Sequence, residues 1–530
     1  MYDYIVVGAG SAGCVVARRL SDAGFQVQLL EAGPPDYQLD YRLHMPAALS
    51  HVLANDTYNW FYHSAPEPYL NDRSLYCPRG RTLGGSSSIN GMIYVRGNPA
   101  DFDRWADLSG FSEWDYQHCL PFFKLSETTS QGTDDYRGRS GPLRVTRGEM
   151  NNPLFAAFLA ATEEAGYIRR DDLNGAEQEG FGTFDRTIFR GRRFSAATAY
   201  LAPVKQRNNL TIETGCQVLN IETDEYRATG VCYRRGKQRF VAHAAREVIV
   251  CAGAINSPKL LLQSGIGDAD ELTALSIPVS KHLPGVGKNL QDHLEVYVQQ
   301  ACSQPVSIYP ALKWYNQIPI GINWYLFKRG AGATNHFEAG GFARSSEAVD
   351  YPDIQMHFLP VAMRYDGAQS ASTHGFQAHV GPMKPTSRGT VSLASSDPLA
   401  PPVIRFNYAQ TEQDRAVMRA AIRCARHIFA QPAFDPYRGN EIAPSAALQS
   451  DRELDDFVRK HGESAYHPSC SCKMGQDDMS VVDARGRVYG FDNLRVIDAS
   501  IMPEITNGNL NAPVIMLAEK LSAAIVADAI

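Results

Sequence analysis

The chain has 530 residues, 44% of them hydrophobic and 20% charged, which excludes a disordered or collagen-like polymer. Lys+Arg number 51 and Asp+Glu 57, a formal net charge of −6, so the basic excess of a general nucleic-acid binder is missing. The length exceeds what one hydrophobic core serves, so two or three domains are expected.

No apolar run reaches the roughly 18 residues of a membrane span. No basic segment followed by an apolar one opens the chain, and a cytoplasmic protein without a leader is expected. Ten scattered cysteines fit a reducing compartment better than a disulfide framework.

Residues 3–7 read as a buried strand, 12–22 as a helix and 26–30 as a second strand. A βαβ opening of this kind predicts a parallel sheet. Residues 34–77 show no clear period and carry many aromatics, as an extended excursion would. Helical spacing returns at 153–166. Residues 208–221 and 227–250 alternate like strands, and 254–264 read as a helix. From about 296 to 460 strand-like stretches (296–301, 354–359, 376–381, 389–393) sit among Pro, Gly and Ser turns. Helices are predicted at 411–430 and 451–460. That pattern suggests an antiparallel sheet with helices on one side. The apolar stretch from Ala512 onward predicts a terminal helix docked on the first domain, not a membrane insertion.

Gly8, Gly10 and Gly13 follow the first strand and open the first helix, with Ser11 and Ala12 between them. Glycines at this spacing permit a tight turn, close approach to a pyrophosphate and close helix–strand packing. The helix N-terminus offers unpaired N–H groups to phosphate. Glu31 ends the next strand, 18 residues past Gly13, where a carboxylate can accept from an adenosine ribose. The carboxylate argues against a 2′-phosphate. The loop by itself does not separate NAD from FAD.

Two further stretches bear on the cofactor. Pro78 to Asn90 contains Leu83-Gly84-Gly85-Ser86-Ser87-Ser88, and Gly253-Ala254-Ile255-Asn256-Ser257-Pro258 comes later. With the N-terminal loop, Asn289-Leu290-Gln291-Asp292-His293 and Asp498-Ala499-Ser500, they resemble the signatures of the glucose–methanol–choline (GMC) oxidoreductases. The resemblance covers essentially the whole chain. It implies an α/β Rossmann-type FAD-binding domain (1–155, 195–295 and 461–530) with an inserted α+β substrate domain on an antiparallel sheet (156–194 and 296–460). It places FAD against Gly8, Gly10, Ser11, Ala12, Gly13, Glu31, Ala32, Leu83, Gly84, Gly85, Ser86, Asn90, Gly91, Val218, Asp498, Ala499 and Asn511. Some members attach FAD through a histidine just before the Asn that ends the Pro78 to Asn90 stretch. Ile89 stands there, so the FAD is expected to be non-covalent.

By the same resemblance His467 and Asn511, 44 residues apart, form the catalytic pair. The chemistry suits them. Alcohol oxidation removes a hydride from carbon and a proton from oxygen. A histidine can take the proton, a neutral amide can hold the developing alkoxide, and the flavin takes the hydride. Cys470-Ser471-Cys472 does not match a common metal spacing, and no metal is expected. His293 and His461 read as a packed polar residue and a surface residue.

Asn335 to Phe342, His357 to Ala362, His374 to Gly381 and Tyr466 to Gly475 resemble the choline-oxidising members of the family. Glu295 is then the counter-ion for a trimethylammonium group, with Trp60, Trp314 and Tyr466 as aromatic neighbours. A structural carboxylate is the lesser alternative for Glu295, and packing roles suit Trp60 and Trp314 equally. The implied electron acceptor is a quinone or respiratory chain, with peripheral contact at the inner membrane. Oxidation of another primary alcohol, such as an aliphatic alcohol or polyethylene glycol, is the alternative, and a flavin-containing lyase the more distant one.

Overall fold

The computed structural model describes residues 2–363 and 373–529. Its first sheet is parallel where the sequence predicts it. Leu210–Glu213, Val27–Leu30, Tyr2–Val7 and the end of Gln238–Val250 lie side by side, and Leu494–Val496 completes the row. Ile5, Val6, Leu29 and Val248 to Val250 are fully buried, as expected of a parallel sheet covered on both faces. Gln238–Val250 is long enough to serve twice. Its first half turns away to pair antiparallel with Arg227–Arg235, which pairs with Cys216–Asp224.

Helix Ser11–Asp22 packs against the terminal helix Asn511–Ala529. The contact is apolar around one buried ion pair. Arg19 Nε lies 2.6 Å from Glu519 Oε2, and the Tyr200 hydroxyl donates to Glu519 Oε1 at 2.9 Å. Among the described residues no helix is long and apolar enough to cross a membrane.

The second sheet runs Arg438–Ala443, Leu294–Cys302, Gly375–Pro382, Ile354–Leu359, Ala339–Ala343, Gly180–Thr183, Arg169–Arg170. Its long neighbours are antiparallel. Alternation sorts its side chains. Val296, Val298, Met356, Phe358, Phe376, Ala378 and Val380 point to one face. There they pack under helices Pro153–Glu164 and Glu412–Phe429. Phe158 stacks on Phe358 at 4.5 Å and Phe376 on Phe434 at 4.7 Å. The intervening positions, Glu295, Gln355, His357, Gln377 and His379, are buried polar groups on the other face. A sheet with such a face has a use for it.

One expectation changes in detail. Residues 34–77 are not uniformly extended: short helices occur at Tyr41–His44 and Leu49–Leu53. The first is nucleated by the Asp40 side chain accepting from Arg42 N. Helices of one turn leave no readable period. Trp314 opens a regular helix, Trp314–Phe327.

Glu519→Ala leaves the Arg19 guanidinium with only Asp22, 3.5 Å away, and removes the acceptor of the buried Tyr200 hydroxyl. A loss of about 2 kcal/mol is expected, read as a fall in Tm of about 2 °C or more. An unchanged Tm would mean that the helix contact is apolar only.

Candidate active site

The glycine loop is built as its spacing requires. Gly8 has φ +96°, and a Cβ on Gly13 would stand 1.9 Å from the Gly8 carbonyl oxygen. Gly13 therefore brings helix and strand together and does not touch the cavity beyond. No side chain caps the helix at Gly10, so its first N–H groups remain available to an anion. Glu31 is 6% exposed, and it accepts from Ala9 N at 2.9 Å and Gly33 N at 2.8 Å. Burial pushes its carboxyl up to about 7, against the pull of those backbone donors and of Arg81.

From this loop a cavity of about 290 Å³ runs toward the polar face of the second sheet. Gly8, Gly10, Ser11, Ala12, Glu31 and Ala32 line one end. Val218 lies toward the Glu31 end, where Cys216 N donates to Glu31 O at 2.8 Å, and Gly85, Ser86, Asn90, Gly91, Asp498, Ala499 and Asn511 also line the cavity. Glu295, His357, Tyr466, His467 and Asn509 line the other end, with Trp60 beside them. Leu83 and Gly84 sit behind the wall. Gly84 has φ +87°, and its N–H donates to Ala9 O at 2.7 Å. That bond ties the Gly-Ser stretch to the N-terminal loop. Asp498 presents backbone to the cavity, while its carboxylate accepts from Gly253 N and the Ser257 hydroxyl. A Cβ on Gly91 or Gly253 would meet nothing within 4 Å. Bare backbone thus faces the space. Phosphate donors at one end and open glycine backbone in the middle fit an elongated dinucleotide such as FAD. Ile89 also lines the cavity and offers no nucleophile for a covalent bond.

At the far end, hydrogen bonding determines which nitrogen of His467 carries its proton. His293 Nε2 lies 3.1 Å from the Met383 carbonyl oxygen, which can only accept, so Nε2 bears the hydrogen. Burial drives His293 down to about 3. It is therefore neutral, and its Nδ1 is an acceptor. That atom is 3.1 Å from His467 Nδ1, which must donate. The remaining nitrogen, His467 Nε2, carries a lone pair. It accepts from Asn509 Nδ2 at 3.1 Å. Enclosure, then the neighbouring His293, His357 and Arg79, hold the His467 pKa well below the usual histidine value. It is neutral at physiological pH.

The backbone that carries His467 is strained and pinned. Tyr466 has φ +67°, a conformation unfavourable for a residue with a Cβ. Arg79 Nη2 donates to Tyr466 O at 2.6 Å, and Tyr466 N donates to the Ser464 hydroxyl at 2.9 Å. Asp292 closes the arrangement. Its carboxylate accepts from His467 N at 2.7 Å, His293 N at 2.9 Å, and the hydroxyls of Ser464 and Tyr408 at 2.5 Å each.

Glu295 is 6% exposed and faces the same end. Gln377 Nε2 can only donate, so His379 Nε2 accepts from it at 2.6 Å, and His379 Nδ1 donates to Glu295 Oε1 at 3.2 Å. Burial pushes the Glu295 carboxyl up to about 8 and His379 down to about 3. The contact is a hydrogen bond between neutral groups and not an ion pair.

Two sequence assignments are corrected by this geometry. The amide opposite His467 is Asn509, not Asn511. Asn511 is the first residue of the terminal helix, and its Oδ1 accepts from the Ser11 hydroxyl at 2.7 Å. That bond joins the two helix ends under the dinucleotide loop. Trp314 lies outside this cavity: it is 73% exposed on the surface helix it begins. Trp60 does line the cavity, with Tyr62 stacked on it at 5.8 Å and the Arg81 guanidinium 5.2 Å from its ring centroid. Asn509, Asp292 and the supporting role of His293 were missed. Asp292 and His293 stand in the stretch Asn289–His293, and Asn509 is two residues before Asn511, so the signal was present without its geometry. The cysteines of the Cys470-Ser471-Cys472 stretch are buried thiols.

A dinucleotide cradle that runs into a neutral histidine and an amide is the architecture of an oxidoreductase. The chain belongs to the GMC oxidoreductase family: models of its N-terminal and C-terminal parts match residues 2–295 and 385–518. It is 56% identical over 526 residues to the oxygen-dependent choline dehydrogenase of Yersinia pseudotuberculosis serotype IB (strain PB1/+), covering 98% of this chain and 93% of the relative. The oxygen-dependent choline dehydrogenase of Pectobacterium atrosepticum is also 56% identical, over 98% and 94%. Among solved structures, pyridoxine 4-oxidase from Mesorbium loti superposes with a TM-score of 0.90 at 31% identity, covering 99% of each chain. A formate oxidase variant from Aspergillus oryzae RIB40 superposes with a TM-score of 0.93 at 25% identity, over 99% and 98%.

The two amides should separate by experiment. Asn511→Ala is expected to lower the flavin retained per protein, read from flavin absorbance, whereas Asn509→Ala keeps its flavin and loses rate. Equal flavin loss in both would mean that the amides share one role.

Proposed function

We propose that the protein is an FAD-dependent dehydrogenase that oxidises choline to betaine aldehyde. One observation carries the substrate: a buried carboxyl, Glu295, stands at the same end of the cavity as the neutral base His467. The names of the 56%-identical relatives support the same substrate.

FAD, held non-covalently, supplies the acceptor for the hydride that leaves the alcohol carbon. The N-terminus of the helix Ser11–Asp22 and the glycine backbone hold its phosphates. Glu31 holds the ribose through lone pairs left over from Ala9 and Gly33. The protein's own part is the proton. A hydroxyl placed between His467 and Asn509 donates to His467 Nε2 and accepts from Asn509 Nδ2. As the carbon–hydrogen bond breaks, the proton passes to Nε2 and the amide stabilises the oxygen. The Met383–His293–His467 chain keeps the lone pair on Nε2. Tyr466 and Trp60 offer aromatic surface to the methyl groups. In this reading residues 1–155, 195–295 and 461–530 hold the FAD, and 156–194 and 296–460 form the substrate side. Electrons leave to a quinone or respiratory chain at a membrane surface.

A cation beside Glu295 favours its ionised form. Below about 8 in pH the carboxyl is largely protonated, so choline must displace a proton to bind. Choline affinity is therefore expected to rise about tenfold per pH unit up to the Glu295 pKa and then level off. Glu295→Gln should remove that dependence and weaken choline by about tenfold or more. The uncharged isostere 3,3-dimethylbutan-1-ol should be unaffected. Equal losses for both alcohols would remove Glu295 as the counter-ion and favour a neutral primary alcohol as substrate.

A further inference from the structure

Gln377 and His379 are each 1% exposed, and they belong to the stretch His374 to Gly381 that the sequence singles out. They stand two residues apart on the strand Gly375–Pro382, so their side chains share one face. Strand pairing sets Gln299 opposite Gln377 and Tyr297 opposite His379. Glu295 follows on the same face of the neighbouring strand Leu294–Cys302. Backbone groups decide which way the Gln377 amide points. Met363 N, which can only donate, gives its hydrogen to Gln377 Oε1 at 2.8 Å. Met363 O, which can only accept, takes one from Gln377 Nε2 at 2.9 Å. Gln299 Nε2 adds a second donor to Oε1 at 2.7 Å. Turning the amide over would set oxygen against oxygen and N–H against N–H.

The second hydrogen of Gln377 Nε2 is therefore aimed at His379 Nε2, 2.6 Å away. That nitrogen must hold a lone pair, and the ring hydrogen sits on Nδ1, 3.2 Å from Glu295 Oε1. The main chain at Met363 thus determines, through two side chains, that Glu295 meets a donor. The other tautomer would suit a different substrate. With its hydrogen on Nε2, His379 would turn a lone pair to Glu295, and the carboxyl would be held as the acid with its own O–H directed at the ring. The tautomer present does the reverse. A donor on a carboxyl favours the anion, which is the form that a cation pairs with. The Tyr297 hydroxyl has one hydrogen to share between Glu463 Oε2, at 2.8 Å, and Glu295. The other titratable groups near Glu295 are Glu463, directly across the strand pair, and Tyr466. Arg79, His357 and His467 line the same cavity.

We propose that Gln377 is a positioning residue for substrate choice: it locks the His379 tautomer that keeps an N–H on Glu295, and so prepares that carboxyl for the cationic end of the alcohol. This role rests on Glu295 being the counter-ion.

Anaerobic bleaching of the flavin at graded choline concentrations, across neutral and alkaline pH, tests this. Gln377→Leu frees the tautomer. Half-saturating choline at neutral pH is expected to rise about tenfold, because a hydrogen bond to a charged group is lost. The pH at which choline affinity levels off should move up by about one pH unit. Affinity on the alkaline plateau should be unchanged, since Glu295 is ionised there in any case. His379→Leu should give the same pattern, and 3,3-dimethylbutan-1-ol should bind both variants as it binds the wild type. Ring-nitrogen NMR of isotopically labelled histidine, assigned with His379→Leu, should find the His379 hydrogen on Nδ1 in the wild-type holoprotein. A hydrogen on Nε2 would overturn the proposal. So would a wild-type choline profile in both variants, or equal losses for the two alcohols, the mark of a merely structural role. Glu295→Gln separates two kinds of failure. Equal weakening of both alcohols by Glu295→Gln removes the counter-ion, and the role of Gln377 with it. Selective weakening of choline by Glu295→Gln but not by Gln377→Leu removes the role of Gln377 alone.

Discussion

The active end of the molecule depends on how one buried carboxylate is satisfied. Asp292 gathers donors from His293, Ser464, His467 and Tyr408, which lie in three distant stretches of chain. A buried carboxylate is costly unless its lone pairs are filled, so the segments that fill them are held in one arrangement. That arrangement fixes the His467 backbone beside a left-handed Tyr466. It also places His293 between the Met383 carbonyl and His467. The tautomer of the base is therefore set by a backbone oxygen two residues removed from the chemistry in the hydrogen-bond chain.

Enclosure does the rest. The second sheet turns apolar side chains toward its helices and polar ones toward the cavity. In that low-dielectric setting neutral forms prevail: His293, His357 and His379 are each pushed to about 3 and Glu295 to about 8. A neutral histidine is a base without prior deprotonation. In the proposed reading, the largely protonated Glu295 would become a counter-ion when a cation arrives. These groups would suit a charged alcohol, with FAD as the acceptor of its hydride.

The dinucleotide loop was legible because its requirements are local. Gly8, Gly10, Gly13 and Glu31 act within one strand–helix–strand unit, and sequence spacing reports such units directly. The amide was not. Asn509 and Asn511 are two residues apart at the start of a helix, where the chain changes from extended to helical. One side chain reaches His467 and the other reaches Ser11, and spacing cannot decide between them. Trp314 failed for another reason: the resemblance placed it at the site, and only the packing shows that on its helix Trp324 alone goes inward. His293 and Asp292 lay in a recognised motif, but their roles appear only once strand Leu294–Cys302 brings them beside residues 464 to 467.

The central claim is that His467 is the base. Anaerobic mixing of equally flavin-loaded wild type and His467→Ala with saturating choline measures it directly, through the rate at which the flavin band bleaches. Choline should bleach the wild type, and the variant should bleach at a rate lower by roughly 10²-fold or more. A variant that bleaches at nearly the wild-type rate would contradict it, whatever the identity of the alcohol.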